Sequence, residues 1–176
     1  MTGLHTLRLS LFPLSPRQLK WYLDDPSALE KEIGYPVSRK LMDDNVRRAI
    51  GMKLAKMAAA PELLHDWYTY WLIVTKDAPF GAGLAGFKGV PDGNGEAEIG
   101  YGIDPAQRGK GCMTEAAGAL IAWAFREPAC LAVVARGVLR SNIASQKVLL
   151  HLGMSVYDET DDTLSYRISR GAAVSG

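Results

Sequence analysis

The chain reads as an α/β domain with a mixed sheet, and three observations predict it. Short runs rich in β-branched and aromatic residues recur at about 6–11, 67–75, 80–89, 96–103, 131–138, 154–159 and 163–169. Helical patterns separate them, early at about 15–60 and later at 114–126 and 142–152. A length of 176 residues, 48% of them hydrophobic, suits one domain, residues 1–176, with a core of its own.

Leu7, Leu9 and Leu11 alternate with Arg8 and Ser10, the pattern of a half-buried strand that Pro13 stops. Ser15 followed by Pro16 is an N-cap with proline at the first helical position, opening a helix to about Asp24. A short helix covers 27–33, and Gly34-Tyr35-Pro36 breaks the chain. A longer helical stretch runs from Ser38 to about Ala59, with Met42, Val46, Ile50 and Leu54 at spacing four. Aromatic and β-branched residues at 67–75 predict a strand, and Pro79-Phe80-Gly81 opens another. Dense turn residues at 91–95 lead into a strand over 96–103. Ala97, Ile99, Tyr101 and Ile103 take its apolar face, which puts Tyr101 in the core; Glu96, Glu98 and glycines take the other. A glycine-bearing loop then precedes a helix from Thr114 to about Arg126. A buried-type strand follows at 131–138, and then a helix at 142–152 that Gly153 ends. Two strands at 154–159 and 163–169 make a hairpin over Thr160-Asp161-Asp162, and 171–176 is a loose tail.

Twenty Lys and Arg against nineteen Asp and Glu leave a net charge of +1, which excludes a generally basic nucleic-acid binder. Two cysteines, Cys112 and Cys130, are too few for a disulfide framework or a four-Cys zinc site. The three histidines (His5, His65, His151) are scattered, so no metal site is expected. No apolar run reaches membrane-spanning length, and the N-terminal segment reads as a strand and not a signal peptide, so no membrane association is expected. The expected compartment is the cytoplasm.

Gly81, Gly83 and Gly86 match G-x-G-x-x-G, but the next ten residues hold three glycines and a proline. The helix that a dinucleotide site needs cannot form there, and the run reads as a glycine-rich strand. The informative loop is Gln107-Arg108-Gly109-Lys110-Gly111-Cys112-Met113-Thr114, between a strand and a helix. Its glycines let backbone approach a ligand, free N–H groups at a helix start favour anions, and Arg108 and Lys110 add positive charge. Those are the physical requirements of a pyrophosphate cradle. A second motif begins at Asn142, with Ser145 and Leu149 on the same helical face.

Glu-Ile-Gly-Tyr at 98–101, Arg-Gly-Lys-Gly-x-x-Thr-Glu-Ala at 108–116 and Asn-x-x-Ser-x-Lys-Val-Leu-x-x-Leu-Gly-Met at 142–154 together resemble the GCN5-related N-acetyltransferase (GNAT) superfamily. Within it, the trio is most similar to the ribosomal-protein N-terminal acetyltransferase (RimJ/RimL-like) branch. The resemblance implies a mixed, mostly antiparallel central sheet flanked by helices. It places the acetyl-CoA-binding core at about 96–155 and a substrate-side helical region at about 15–60. The chain departs from the usual pattern at three places. Ala106 stands where the loop motif has Gln or Arg, Met154 replaces a Phe, and Val148-Leu149-Leu150 holds no Tyr.

The resemblance further implies acetyl-CoA as co-substrate. Its pyrophosphate would meet backbone N–H groups of Arg108, Gly109, Lys110, Gly111, Cys112 and Met113, with Thr114 starting the helix. The pantetheine arm would run beside Ile103, with Asn142 on its far side. An amine-bearing acceptor, a peptide N-terminus or a small molecule, would attack the thioester directly, without a protein nucleophile. Glu98 corresponds to the general base of relatives, acting through water or with a raised pKa, and Ser145 is the candidate acid for the leaving thiolate. A rival reading is a CoA-binding sensor or partner module without turnover. The sequence leaves homodimer formation open.

Overall fold

A computed structural model describes residues 3–172. Eight strands form the sheet: β1 (Leu4–His5), β2 (Leu9–Pro13), β3 (Trp71–Thr75), β4 (Phe80–Phe87), β5 (Glu96–Ile103), β6 (Ala132–Leu139), β7 (Ser155–Glu159) and β8 (Thr163–Ser169). Their spatial order is β1-β2-β3-β4-β5-β6-β8-β7. Every neighbouring pair is antiparallel except β5 and β6, which run parallel. Six helices complete the fold: α1 (Pro16–Asp24), α2 (Pro26–Ile33), α3 (Asp44–Ala59), α4 (His65–Tyr68), α5 (Cys112–Ala124) and α6 (Ile143–His151).

Local chemistry sets several boundaries. Ser15 and Gln18 form a reciprocal capping box that starts α1. The expected helix from Ser38 begins only at Asp44, because Asp43 is the residue that caps it, accepting from Val46 N at 2.8 Å. Residues 37–38 are instead held at the sheet, where Ser38 N donates to Gly81 O at 2.8 Å. The expected strand at 67–75 is shorter, since Trp67 belongs to α4 and the Trp71 indole donates to Asp66 O. The first expected strand, 6–11, begins only at Leu9: residues 6–8 form a bend that leaves Leu7 exposed and turns Thr6 and Arg8 toward Glu115. Residues 173–176 of the expected tail lie outside the described residues.

The glycines at 81, 83 and 86 lie within β4, not at a helix start. A Cβ on Gly86 would come within 2.5 Å of Thr69 O, so the close approach of the α4–β3 turn requires glycine there.

The sheet buries both faces. One packs on α5 through Leu120, Ile121, Val133 and Ile168, with Trp67, Trp71, Phe87 and Trp123 clustered beside it. The other packs on α1–α3 through Leu19, Tyr22, Ile50, Leu72 and Leu84. The feature that positions the site is the short seam between β5 and β6. Their register covers Glu96↔Ala132, Ala97↔Val133 and Glu98↔Val134, and stops there. Beyond it, the β6–β8 register shifts between Ala135 and Val138, with Gly137 at φ +65°. Such a bulge bends and twists its strand, and here it leaves the second half of β5 without β6 beside it.

Candidate active site

The opening beyond Glu98 leads into a cleft of about 1050 Å³ between β5, the start of α5 and one face of α6. Glu98 O accepts from Lys88 N, and Asp104 N donates to Ala82 O, both toward β4. Backbone groups alternate sides along a strand, so beyond the last rung Tyr101 and Ile103 turn their N–H and C=O groups toward the gap. An extended ligand can therefore take the place of the missing strand.

The loop at the head of the cleft has the backbone geometry that favours an anion. Asp104 accepts from Ala106 N at 2.8 Å and starts a 3-10 turn over Pro105–Gln107. The Ser38 hydroxyl donates to the other Asp104 oxygen at 2.6 Å, and this bond leads in holding the Asp104 carboxyl below its usual pKa range. Gly109 and Gly111 then take left-handed φ values of +72° and +75°. Gly111 is the N-cap of α5 and supplies no side-chain cap, so the first-turn N–H groups stay available.

The N-terminal hairpin locks this loop. Arg8 Nε donates to Glu115 Oε2 at 2.7 Å, and Arg8 Nη1 donates to Lys110 O at 2.7 Å. Thr6 Oγ1 and Arg8 N both donate to Glu115 Oε1, at 2.6 and 2.8 Å. Burial alone would raise the Glu115 carboxyl, but these donors together hold it below its usual pKa. The carboxylate that ties α5 to the hairpin is thus ionised at neutral pH.

Of the predicted residues, Ile103, Arg108, Gly109, Gly111, Cys112, Met113, Thr114, Asn142 and Ser145 line the cleft. Lys110 does not; its ammonium turns back to Gln107 Oε1 at 3.2 Å. The Arg108 N–H is already given to Pro105 O, so it is not free for a ligand. Cys112 and Met113 point into the core and offer only backbone. Asn142 caps α6, its Oδ1 accepting from Ser145 N at 3.1 Å.

Glu98 is not brought to the cleft. Ile99 belongs to the α5-side core, so the alternation puts Glu98, Gly100 and Gly102 on the opposite face. There Lys88 pairs with Glu98 Oε1, and Arg136 Nη1 lies 3.2 Å from Oε2. Beside Glu98 that face is bare: a Cβ on Gly100 would meet nothing within 4 Å.

Tyr101 packs on the core side as expected, but sequence reasoning missed that it reaches the cleft. It is half-buried and lines the cleft, with its hydroxyl 2.9 Å from Ser145 Oγ. His151, whose position suggests an outer surface, also reaches the cleft wall together with Lys147. Among the described residues, no group of three or more His, Cys, Asp or Glu is placed to hold a metal ion.

Residues 8–155 match the acetyltransferase (GNAT) domain family. The chain belongs to this family. A GNAT relative, the uncharacterized N-acetyltransferase YjdG of Bacillus subtilis, is 42% identical over 83 residues. That match covers 47% of this chain and 49% of the relative, so it spans about half the length of each. Solved GNAT structures share the fold. A RimL ribosomal L7/L12 α-N-protein acetyltransferase in complex with coenzyme A superposes with a TM-score of 0.66 at 16% identity, covering 97% of this chain and 99% of that one. The ribosomal-protein-S5-alanine acetyltransferase of Vibrio fischeri gives 0.66 at 15% identity, over 97% and 98%. Mycobacterium smegmatis RimJ, in complex with a CoA disulfide, gives 0.61 at 22% identity, over 92% and 82%. The mixed, mostly antiparallel GNAT sheet expected from the motifs is the sheet observed.

Proposed function

We propose that this chain, acting as one domain, is an acetyl-CoA-dependent N-acetyltransferase that acts on a primary amine, of a protein N-terminus or a small molecule, by direct attack. The carrying observation is the unpaired half of β5 opening onto a cleft whose head is an uncapped helix N-terminus. Coenzyme A has the matching chemistry, an anionic pyrophosphate joined to an extended arm with amide groups. The RimL and RimJ structures that share this fold hold coenzyme A or its disulfide.

The loop N–H groups bind the pyrophosphate, and the Tyr101 and Ile103 backbone pairs with the arm. A backbone N–H facing the gap offers the donor that a developing oxyanion needs, typically about 2.7–4 kcal/mol. The amine approaches from the Gly100 face, where Glu98 receives its proton through water. Ser145 protonates the leaving thiolate. Cys112 and Cys130 are buried and unbridged, which fits a reducing compartment such as the cytoplasm.

Ligand-induced stabilisation tests the reading. Coenzyme A at 100 times its Kd should add about 2.7 kcal/mol, raising Tm by about 5–11 °C. NAD should give no shift, because the β4 glycines lack a following helix. A shift with NAD and none with coenzyme A would remove the proposal. Coenzyme A binding without acetyl transfer to any of a panel of N-terminal peptides and small amines would favour the sensor reading instead.

A further inference from the structure

α6 carries no tyrosine facing the cleft; its stretch there is Val148-Leu149-Leu150. A phenol arrives from another element. Tyr101, on β5 where the sheet opens, places its hydroxyl 2.9 Å from Ser145 Oγ on α6. Both residues line the cleft. A serine hydroxyl alone is a poor proton source, whereas a phenol of ordinary pKa about 10 is far closer to a thiol, at about 8.5.

We propose that Tyr101 is a positioning and relay residue that supplies, through Ser145, the proton taken up by the thiolate leaving acetyl-CoA. This rests on the acetyl-transfer reading above. The amine nitrogen forms the new C–N bond and the C–S bond breaks. The sulfur takes the proton of Ser145 Oγ, and Ser145 takes that of Tyr101. The proton that the acylated nitrogen sheds, taken by Glu98 through water, passes on through solvent to the phenolate, so no proton is gained or lost. Burial raises the Tyr101 pKa, with the Ser145 bond opposing it and Tyr166 adding to it, so the phenol holds its proton at neutral pH. The other charged or titratable groups along the cleft are Arg108, Cys112, Glu115, Lys147 and His151. His151 Nδ1 is engaged with Lys147 O at 2.6 Å.

Tyr101→Phe keeps the ring and removes the proton. It should lower kcat by about 10²-fold, with the KM for acetyl-CoA moving less than about threefold. Ser145→Ala should cost about the same, and the double variant little more, because the two act as one unit. A readout without turnover comes from ¹³C-labelled tyrosine NMR, with the Tyr101 signal assigned by its loss in Tyr101→Phe. In Ser145→Ala its titration midpoint should move, and His151→Gln should leave it in place. Additive losses, a Tyr101→Phe enzyme within about threefold of wild type at every pH, or a midpoint indifferent to Ser145→Ala would each overturn the relay. In those cases wild type still transfers acetyl groups. A wild type that binds coenzyme A but acetylates no amine would instead overturn the underlying reading, and the relay with it.

Discussion

Glu98 is where one side chain carries two readings. Both its oxygens face cations, Lys88 and Arg136, as in a structural ion pair at the edge of a seam. It also sits at the last β5–β6 rung, on the bare face from which an amine would enter. Glu98→Gln keeps the shape and removes the proton acceptor. If it is the base, kcat should fall by about 10²–10⁴-fold while coenzyme A affinity holds. The loss should shrink as pH rises and more amine is already neutral. An α-amine, of pKa about 7.7–8, should escape at lower pH than a lysine-type amine at about 10.4. Rates of both enzymes against pH decide it; equal rates throughout leave Glu98 as a structural ion-pair partner only. Lys53 poses a different question, of stability. Its ammonium is buried, donates to the carbonyls of Tyr68, Thr69 and Phe87, and lies 4.3 Å from the centre of the Tyr70 ring. Burial, with Lys56 and Lys88 nearby, pushes its pKa down to about 7. Unfolded, it keeps its proton to about 10.4. Between those values the unfolded state binds more protons, so stability rises with pH, and below about 7 this group adds no slope. Lys53→Met should abolish that slope and leave three carbonyls without a donor, costing about 1–3 kcal/mol. Denaturant melts from pH 6.5 to 10 should show the gap widening in favour of wild type; a constant gap would contradict the linkage.

Among the elements, the loop into α5 is the most sharply constrained. Gly111 sits at φ +75°, and a Cβ there would lie 3.3 Å from Arg8 Nη2. Gly111→Val should cost about 1–2 kcal/mol in backbone strain alone. Calorimetric titration should show coenzyme A affinity reduced at least tenfold, about 1.4 kcal/mol. Unchanged affinity would place the cradle elsewhere. This loop was legible from sequence because two glycines, two cations and a helix start are all local. The motif that begins at Asn142 was legible for the same reason. Other parts depend on distant partners. The tie of Arg8 to Glu115 joins residues 107 positions apart, and that of Tyr101 to Ser145 joins residues 44 apart. Alternation along β5 correctly put Tyr101 on the apolar side. It carried no sign that α6 presents a hydroxyl there, where the core gives way to a cleft. The α3 start was misread because its spacing-four pattern reaches back to Met42, while Asp43 supplies the cap that ends the preceding turn.

On the scale of the whole molecule, β5 separates a cleft from an open strip. The cleft lies on the α5–α6 side, and the bare Gly100 strip lies on the side of α1–α3. Neither the bulge in β6 nor the three-rung seam is written in any single segment, since both arise from how β6 pairs with β8. The arrangement bears on traffic. A donor seated along one side of a single strand leaves the other side clear, so the two substrates need not take turns in a shared chamber. On the proposed reading, the spent carrier and the modified amine would leave by separate doors, in either order, and no acyl group would be parked on the protein between visits.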